Sequence, residues 1–146
     1  MVPTYDSEMP GKGGTGAIPN YERATGTLPL RTGYTPPYSA HVLRGGMLLS
    51  SDLEKQARVC LKVHGTLGVS VFIGEVQSVE DLIAQAAPTV AKMPRLSVCS
   101  FAVLRKWHVV ATFNAPHYTI LLPDLGEGTF EALRDCFLAI PNPYTQ

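Results

Sequence analysis

After residue 38 the apolar positions repeat with two periods, which predicts both helices and strands. Between residues 51 and 64 apolar side chains recur every three or four positions, as in an amphipathic helix. Ser51 and Glu54 have the spacing of a capping box at the start of this helix. Gly65 is typical of a residue that ends a helix. This stretch is the most strongly indicated helix of the chain.

Two more helices are predicted by their caps and their apolar faces. Ser78 is expected to cap the second, with Asp81 three residues later, and Pro88 should interrupt it. The third follows Gly126, and Phe130, Leu133 and Phe137 are expected on its inner face. Two prolines, Pro141 and Pro143, should stop it and leave a short tail.

The strands are indicated by β-branched, apolar stretches bounded by turn residues. A first strand is expected over 39–44 and a buried one over 66–73. Residues 96–104 are either a strand to 100 followed by a short helical turn, or one continuous strand, because periodicity does not separate the two. Residues 108–122 predict two strands joined by a turn at 114–116, which is too short for a parallel crossover.

This order of elements predicts an α+β fold. The expected architecture is a two-layer sandwich, with a mixed sheet, a C-terminal antiparallel hairpin over 108–122 and about three packed helices. Residues 1–37 contain six glycines and six prolines and are expected to be a flexible or extended segment. Residues 38–146 are expected to form a single compact α+β domain. The spaced tyrosines Tyr5, Tyr21, Tyr34 and Tyr38 could dock on the domain or a partner, or the segment could be disordered.

Charge and composition narrow the function classes. The formal net charge is zero and no run of Lys or Arg occurs, which argues against bulk nucleic-acid binding. The first residues do not resemble a secretory signal, and no apolar window is long enough for a bilayer, so a cytoplasmic protein without membrane contact is expected. The three cysteines are far apart, which is typical of buried thiols in a reducing compartment.

Two histidines occur in similar short motifs. His64 is followed by Gly65 and Thr66, and His117 by Tyr118 and Thr119. In a strand, alternate side chains share a face, so each His would lie beside its Thr. Two such motifs on neighbouring strands could place a general base and a general acid across a phosphodiester.

The paired His-x-Thr motifs resemble those of the 2H phosphoesterase family. That resemblance implies a metal-independent phosphodiesterase or RNA-processing hydrolase, with His64, Thr66, His117 and Thr119 as catalytic residues and a small phosphate ligand. The other interpretation is structural: His64 would be a cation at a helix end, and His117 a packed residue at the start of a strand.

Other candidate sites are weaker. His41 and Arg44 could admit an anionic ligand at the end of the first strand, although residues three apart point to alternate faces. The histidines and cysteines lack the spacing of a structural zinc site, so we expect no metal or cofactor.

The leading hypothesis is a small cytoplasmic protein-interaction or regulatory module. It would bind a protein partner, for example within a toxin–antitoxin or defence pair, or form a homo-oligomer. An exposed strand edge at Tyr118–Leu122, which contains no Lys or Pro, could pair with a second copy. The phosphodiesterase is the alternative.

Overall fold

A computed structural model of the chain describes residues 28–31, 35–86 and 88–143. Within these residues, six strands and four α-helices follow one another in a single α+β arrangement. In chain order they are β1 (His41–Gly45), α1 (Ser50–His64), β2 (Gly68–Gly74), α2 (Val79–Gln85), α3 (Pro88–Ala91), β3 (Arg95–Ser100), a 3-10 helix (Phe101–Leu104), β4 (His108–Ala111), β5 (His117–Leu121), α4 (Glu127–Arg134) and β6 (Leu138–Pro141).

The strands form one sheet in the order β4-β5-β2-β1-β3-β6. The α+β sandwich class predicted from the sequence is confirmed, and so is the antiparallel hairpin formed by β4 and β5. All five ladders among the described residues are antiparallel, so this part of the chain contains no parallel pair where a mixed sheet was expected. Of the two alternatives for residues 96–104, the structure has the strand followed by a short helical turn and not the continuous strand.

Apolar side chains pack on both faces of the sheet. The larger cluster joins Val69, Val71 and Ile73 of β2 to Leu53 of α1 and Phe130 of α4. On the opposite face a smaller cluster joins Leu43 of β1 and Leu96 of β3 to residues of α2 and α3. The alternation of side chains along each strand explains why Val42 and Leu43, which are neighbours in β1, belong to different clusters.

The predicted capping box at Ser51 and Glu54 is wrong. Helix α1 begins one residue earlier, at Ser50, with Leu49 at the N-cap and no side-chain cap. The Ser50 hydroxyl instead donates to Glu127 Oε2 at 2.8 Å and accepts from Arg134 Nη2 at 2.7 Å. A contact with α4, which local sequence rules do not include, therefore accompanies the start of α1. Two other helix signals are confirmed, because the Ser78 hydroxyl caps α2 and Gly65, with φ 79°, ends α1. The predicted end of the last helix is wrong: α4 ends at Arg134, so Phe137 lies beyond it and the two prolines do not stop it.

The segment after α4 was expected to be a tail, and this expectation is wrong. Residues 138–141 form β6, which pairs with β3. The buried Asn142 holds the end of this strand: its backbone N–H donates to Pro94 O, and its amide donates to the carbonyls of Val90, Ala91 and Met93. Asn142 and Pro94 form a hydrogen-bonded pair, and such pairs alternate with non-hydrogen-bonded ones in an antiparallel ladder. The next pair, Pro141 and Arg95, is therefore a non-hydrogen-bonded one, and the Pro141 nitrogen points away from β3. A strand at the sheet margin tolerates proline in that position.

The proposed open edge at Tyr118–Leu122 is also wrong, because β5 pairs with β2 on one side and with β4 on the other. The margin of the sheet on that side is β4, where Leu30 forms a bridge with Thr112. Residues 28–31 of the predicted N-terminal segment thus lie against the domain. Tyr5, Tyr21 and Tyr34 lie outside the described residues, whereas Tyr38 is exposed and packs its ring 5.9 Å from that of Phe101. Among the helices of the described residues, none has the length and apolarity needed to cross a membrane.

Candidate functional site

The turn between β4 and β5 brings several chemically competent side chains together. Phe113 opens this turn with φ 55°, a left-handed conformation that is uncommon for a residue other than glycine. The backbone N–H of His117 donates to Asn114 O at 2.9 Å and closes the turn. Phe113 keeps 44% of its surface exposed despite its size. Backbone strain of this kind is often associated with functional positions, which makes this turn a candidate functional site.

The structure brings His64 and His117 to the same aromatic ring. The ring centroid of Phe113 lies 5.7 Å from that of His64 and 4.9 Å from that of His117, both in edge-on geometry. The ring centroid of Phe72 lies 5.6 Å from that of His117, also in edge-on geometry. His64 reaches this region because it is the last residue of α1, and His117 because it is the first residue of β5. Two histidines that are distant in sequence therefore contact the same phenylalanine ring.

A chain of hydroxyl groups joins His117 to Thr119. His117 Nδ1 lies 2.8 Å from Thr112 Oγ1, which in turn lies 2.8 Å from Thr119 Oγ1. Both threonine side chains are buried. The hydroxyl of Thr119 is therefore bonded inside the protein, whereas Thr66 is a half-buried residue between α1 and β2. Thr112 was missed by the sequence reasoning, although the hairpin register, in which its N–H donates to His117 O, would have placed it opposite His117.

The surroundings of His117 favour its neutral form. Burial is the largest cause that lowers its pKa, and the positive charge of Arg31 lowers it further, while a hydrogen bond involving the Thr112 backbone opposes them. The pKa of His108 on β4 is also lowered by burial. Since the ordinary histidine pKa is about 6.5, His117 is neutral at pH 7 and has one unprotonated nitrogen. It can accept a proton.

The two other predicted ligand residues are not brought together. His41 and Arg44 lie on opposite faces of β1. Arg44 Nη1 donates to Gln56 Oε1 at 2.6 Å and to Ser70 O at 2.8 Å, and the Ser70 N–H donates to the same Gln56 oxygen. These bonds close the gap beside β2, whose pairing with β1 begins only at Phe72. Burial lowers the pKa of Arg44 to about 10, against the opposing charge of Asp52, so the guanidinium stays charged at pH 7.

Metal and thiol chemistry find little support in the described part of the chain. No group of three or more His, Cys, Asp or Glu side chains that could hold a metal ion occurs there. Cys60, Cys99 and Cys136 are free and half-buried. Burial raises the pKa of each thiol, that of Cys99 to about 12, so the reactive thiolate is scarce at neutral pH.

A second surface lies on the outward face of α1. Val59 and Val63 are four residues apart, so they are neighbours on this face, and they are 53% and 45% exposed. Lys55 precedes Val59 by four residues and Lys62 follows it by three, and both lysines are exposed. We call these four residues the valine–lysine face. It combines an apolar stripe with positive charge on one helix.

Comparison of the chain with protein-family models, curated proteins and solved structures gives no match.

Proposed function

We propose that this chain is a protein-interaction module that binds an acidic amphipathic segment of a partner protein on the valine–lysine face of α1. The observation that carries this proposal is the exposure of two neighbouring valines on a well-formed 15-residue helix. A helix in a compact domain normally turns its apolar residues to the core, as α1 does with Leu53 and Ala57. Exposed apolar side chains that adjoin one another are typical of binding surfaces.

The charges beside the valines define the chemistry of the partner. Lys55 and Lys62 border the stripe, whereas Arg58 is paired with Glu54 at 2.9 Å on the same helix. Carboxylates of a bound segment would meet the two lysines, while its apolar residues cover Val59 and Val63. An amphipathic helix whose apolar residues are three or four positions apart has this arrangement. Charge complementarity of this kind selects the partner and its orientation.

A pair of synthetic peptides tests this proposal. One is helical, with leucines on one face and glutamates beside them, and the second has lysine in place of each glutamate. We expect the first peptide to bind saturably and to shift the amide resonances of α1, while the second does not bind. Val59→Glu should weaken binding by about tenfold, because covering a valine contributes roughly 1.5 kcal/mol and a new carboxylate repels the peptide.

Val103→Glu is the matched control, because Val103 is 44% exposed and lies on the 3-10 helix rather than on α1. Equal binding of the two peptides, or an equal loss with Val103→Glu, would contradict the proposal.

The meeting of His64 and His117 at Phe113 favours a second candidate function, metal-independent hydrolysis of a phosphodiester. The neutral His117 would accept a proton from water as its oxygen attacks phosphorus, and His64 would donate a proton to the departing oxygen. The hydroxyl of Thr112 would hold the His117 ring in place through Nδ1. The Thr119 hydroxyl is hydrogen-bonded to Thr112, so Thr119 would support the His117 ring through Thr112 and would not be the catalytic residue that the sequence motif implies.

The direct assay is hydrolysis of a 2′,3′-cyclic nucleotide by the full chain. We expect His117→Ala to abolish turnover and His64→Ala to reduce it, with each variant assayed at a temperature where circular dichroism shows it folded and with His41→Ala as the control that keeps full turnover. A wild-type protein without turnover, or a His117→Ala variant with full turnover, would contradict this candidate.

A further inference from the structure

Residues 28–31 lie along the outer margin of β4 in an extended arrangement. Leu30 forms a bridge with Thr112, the Arg31 N–H donates to Ala111 O at 2.9 Å, and the Phe113 N–H donates to Pro29 O at 2.8 Å. Pro29 cannot donate in return, because it has no N–H. The segment therefore completes the hydrogen bonding of a strand margin that would otherwise be open.

Side chains at both ends of the segment hold it in place. Leu28 is buried at one end. At the other end, Arg31 Nη1 donates to the carbonyl oxygens of Thr112 and His117, and its guanidinium lies 4.9 Å from the ring centroid of Tyr118. Leu30, between them, is 44% exposed. The contacts thus depend on an apolar residue at the first position and an arginine at the fourth.

The groups that receive Pro29 and Arg31 belong to β4, β5 and the turn between them. They are Ala111, Thr112, Phe113, His117 and Tyr118. Both bonds come from the single nitrogen Nη1, so the feature that distinguishes arginine from lysine is the planar guanidinium, which lies against the Tyr118 ring while Nη1 reaches the two carbonyl oxygens. The remaining contacts are backbone hydrogen bonds, which any extended segment can make.

We propose that the outer margin of β4 is a strand-binding site for extended segments that carry an apolar residue and, three positions later, an arginine. The chain occupies this site with its own residues 28–31, and a partner segment of the same chemistry binds there by displacing them. This proposal is independent of the valine–lysine face and of phosphodiester hydrolysis.

The experiment uses the full chain with Leu28→Ser and Arg31→Gln, which removes both side-chain anchors of the internal segment. The probe is a synthetic peptide with the sequence of residues 26–33, and a second peptide carries lysine in place of the arginine. Hydrogen exchange at the Phe113 amide reports whether the internal segment has left, because that amide donates to Pro29 O. Amide chemical shifts of Ala111, Thr112 and Tyr118 report peptide binding.

In the double variant we expect the Phe113 amide to exchange faster, and the arginine peptide to bind saturably and restore protection. The lysine peptide should bind about tenfold more weakly, since an ammonium group cannot stack on the Tyr118 ring as the planar guanidinium does while it also reaches the two carbonyl oxygens. Wild type should bind the arginine peptide more weakly than the double variant does, because its own segment competes.

Three results would overturn the proposal: an unchanged Phe113 amide in the double variant, no binding of the arginine peptide to the folded double variant, or equal binding of the two peptides. Leu28→Ser alone is the second variant, for use if the double variant does not fold, and it should show the same ranking of peptides.

Discussion

Replacement of Thr112 by valine tests whether the buried hydroxyl chain stabilises the turn that carries His117. Valine has nearly the shape of threonine, so Thr112→Val removes the hydroxyl and changes the packing little. Thr112 is fully buried, and its Oγ1 is 2.8 Å from both His117 Nδ1 and Thr119 Oγ1. The substitution therefore leaves two polar atoms without their partner, and Thr119 Oγ1 is too buried to recover a bond to water.

A buried polar atom that has lost its hydrogen bond lowers the free energy of unfolding by about 1–3 kcal/mol. The His117 side chain is half-buried and can regain part of its loss from solvent, so Thr119 dominates. We expect Thr112→Val to lower the free energy of unfolding by about 2 kcal/mol. For a domain whose total stability is about 5–15 kcal/mol, urea unfolding resolves a change of that size.

A double-mutant cycle with Thr119→Val separates the hydrogen bond from other effects of the substitution. In the double variant both hydroxyls are absent, so no hydroxyl at position 112 or 119 is left without its hydrogen-bond partner. The double variant should therefore be more stable than the sum of the single losses predicts, by about 1 kcal/mol or more. Losses that simply add, or a Thr112→Val variant as stable as wild type, would refute the account of the hydroxyl chain.

Two further predictions concern glycine and pH. Gly68→Ala should destabilise the fold by about 1–3 kcal/mol, because the added methyl would lie 2.6 Å from Thr119 Cγ2. Gly128→Ala in α4 should stabilise it by up to about 1 kcal/mol, because its added methyl meets nothing within 4 Å. Chemical denaturation of both variants checks the contrast, and equal effects would contradict it. The lowered pKa of His117 means that the unfolded chain binds more protons, so its contribution to stability is present above pH about 6.5 and is lost as the pH falls towards the folded pKa. Unfolding measured from pH 7.5 to 5 should show a smaller decrease for His117→Gln than for wild type, and parallel curves would contradict this sign.

Much of the fold could be predicted from local patterns. The helix over α1, the cap at Ser78 and the hairpin β4–β5 follow from periodicity, capping and turn chemistry, which depend on residues close together in the chain. Strand β6 could not be predicted in this way, since its four residues contain a proline and only three residues separate it from helix α4. Its place depends on Asn142, whose amide bonds to three carbonyls about 50 residues earlier in the chain.

The same distinction between local sequence patterns and tertiary contacts applies to the candidate site. The sequence by itself determined that His64 and His117 occur in similar motifs, and that the chain is uncharged overall and has cysteines and histidines without metal-site spacing. Only the tertiary structure decided that both imidazoles meet Phe113, that Thr119 bonds to Thr112 and that Arg31 reaches His117 from the margin of the sheet. The physical reason is that periodicity determines which face a side chain takes within its own element, whereas the partners it meets depend on strand order and register, which are set by contacts between distant parts of the chain.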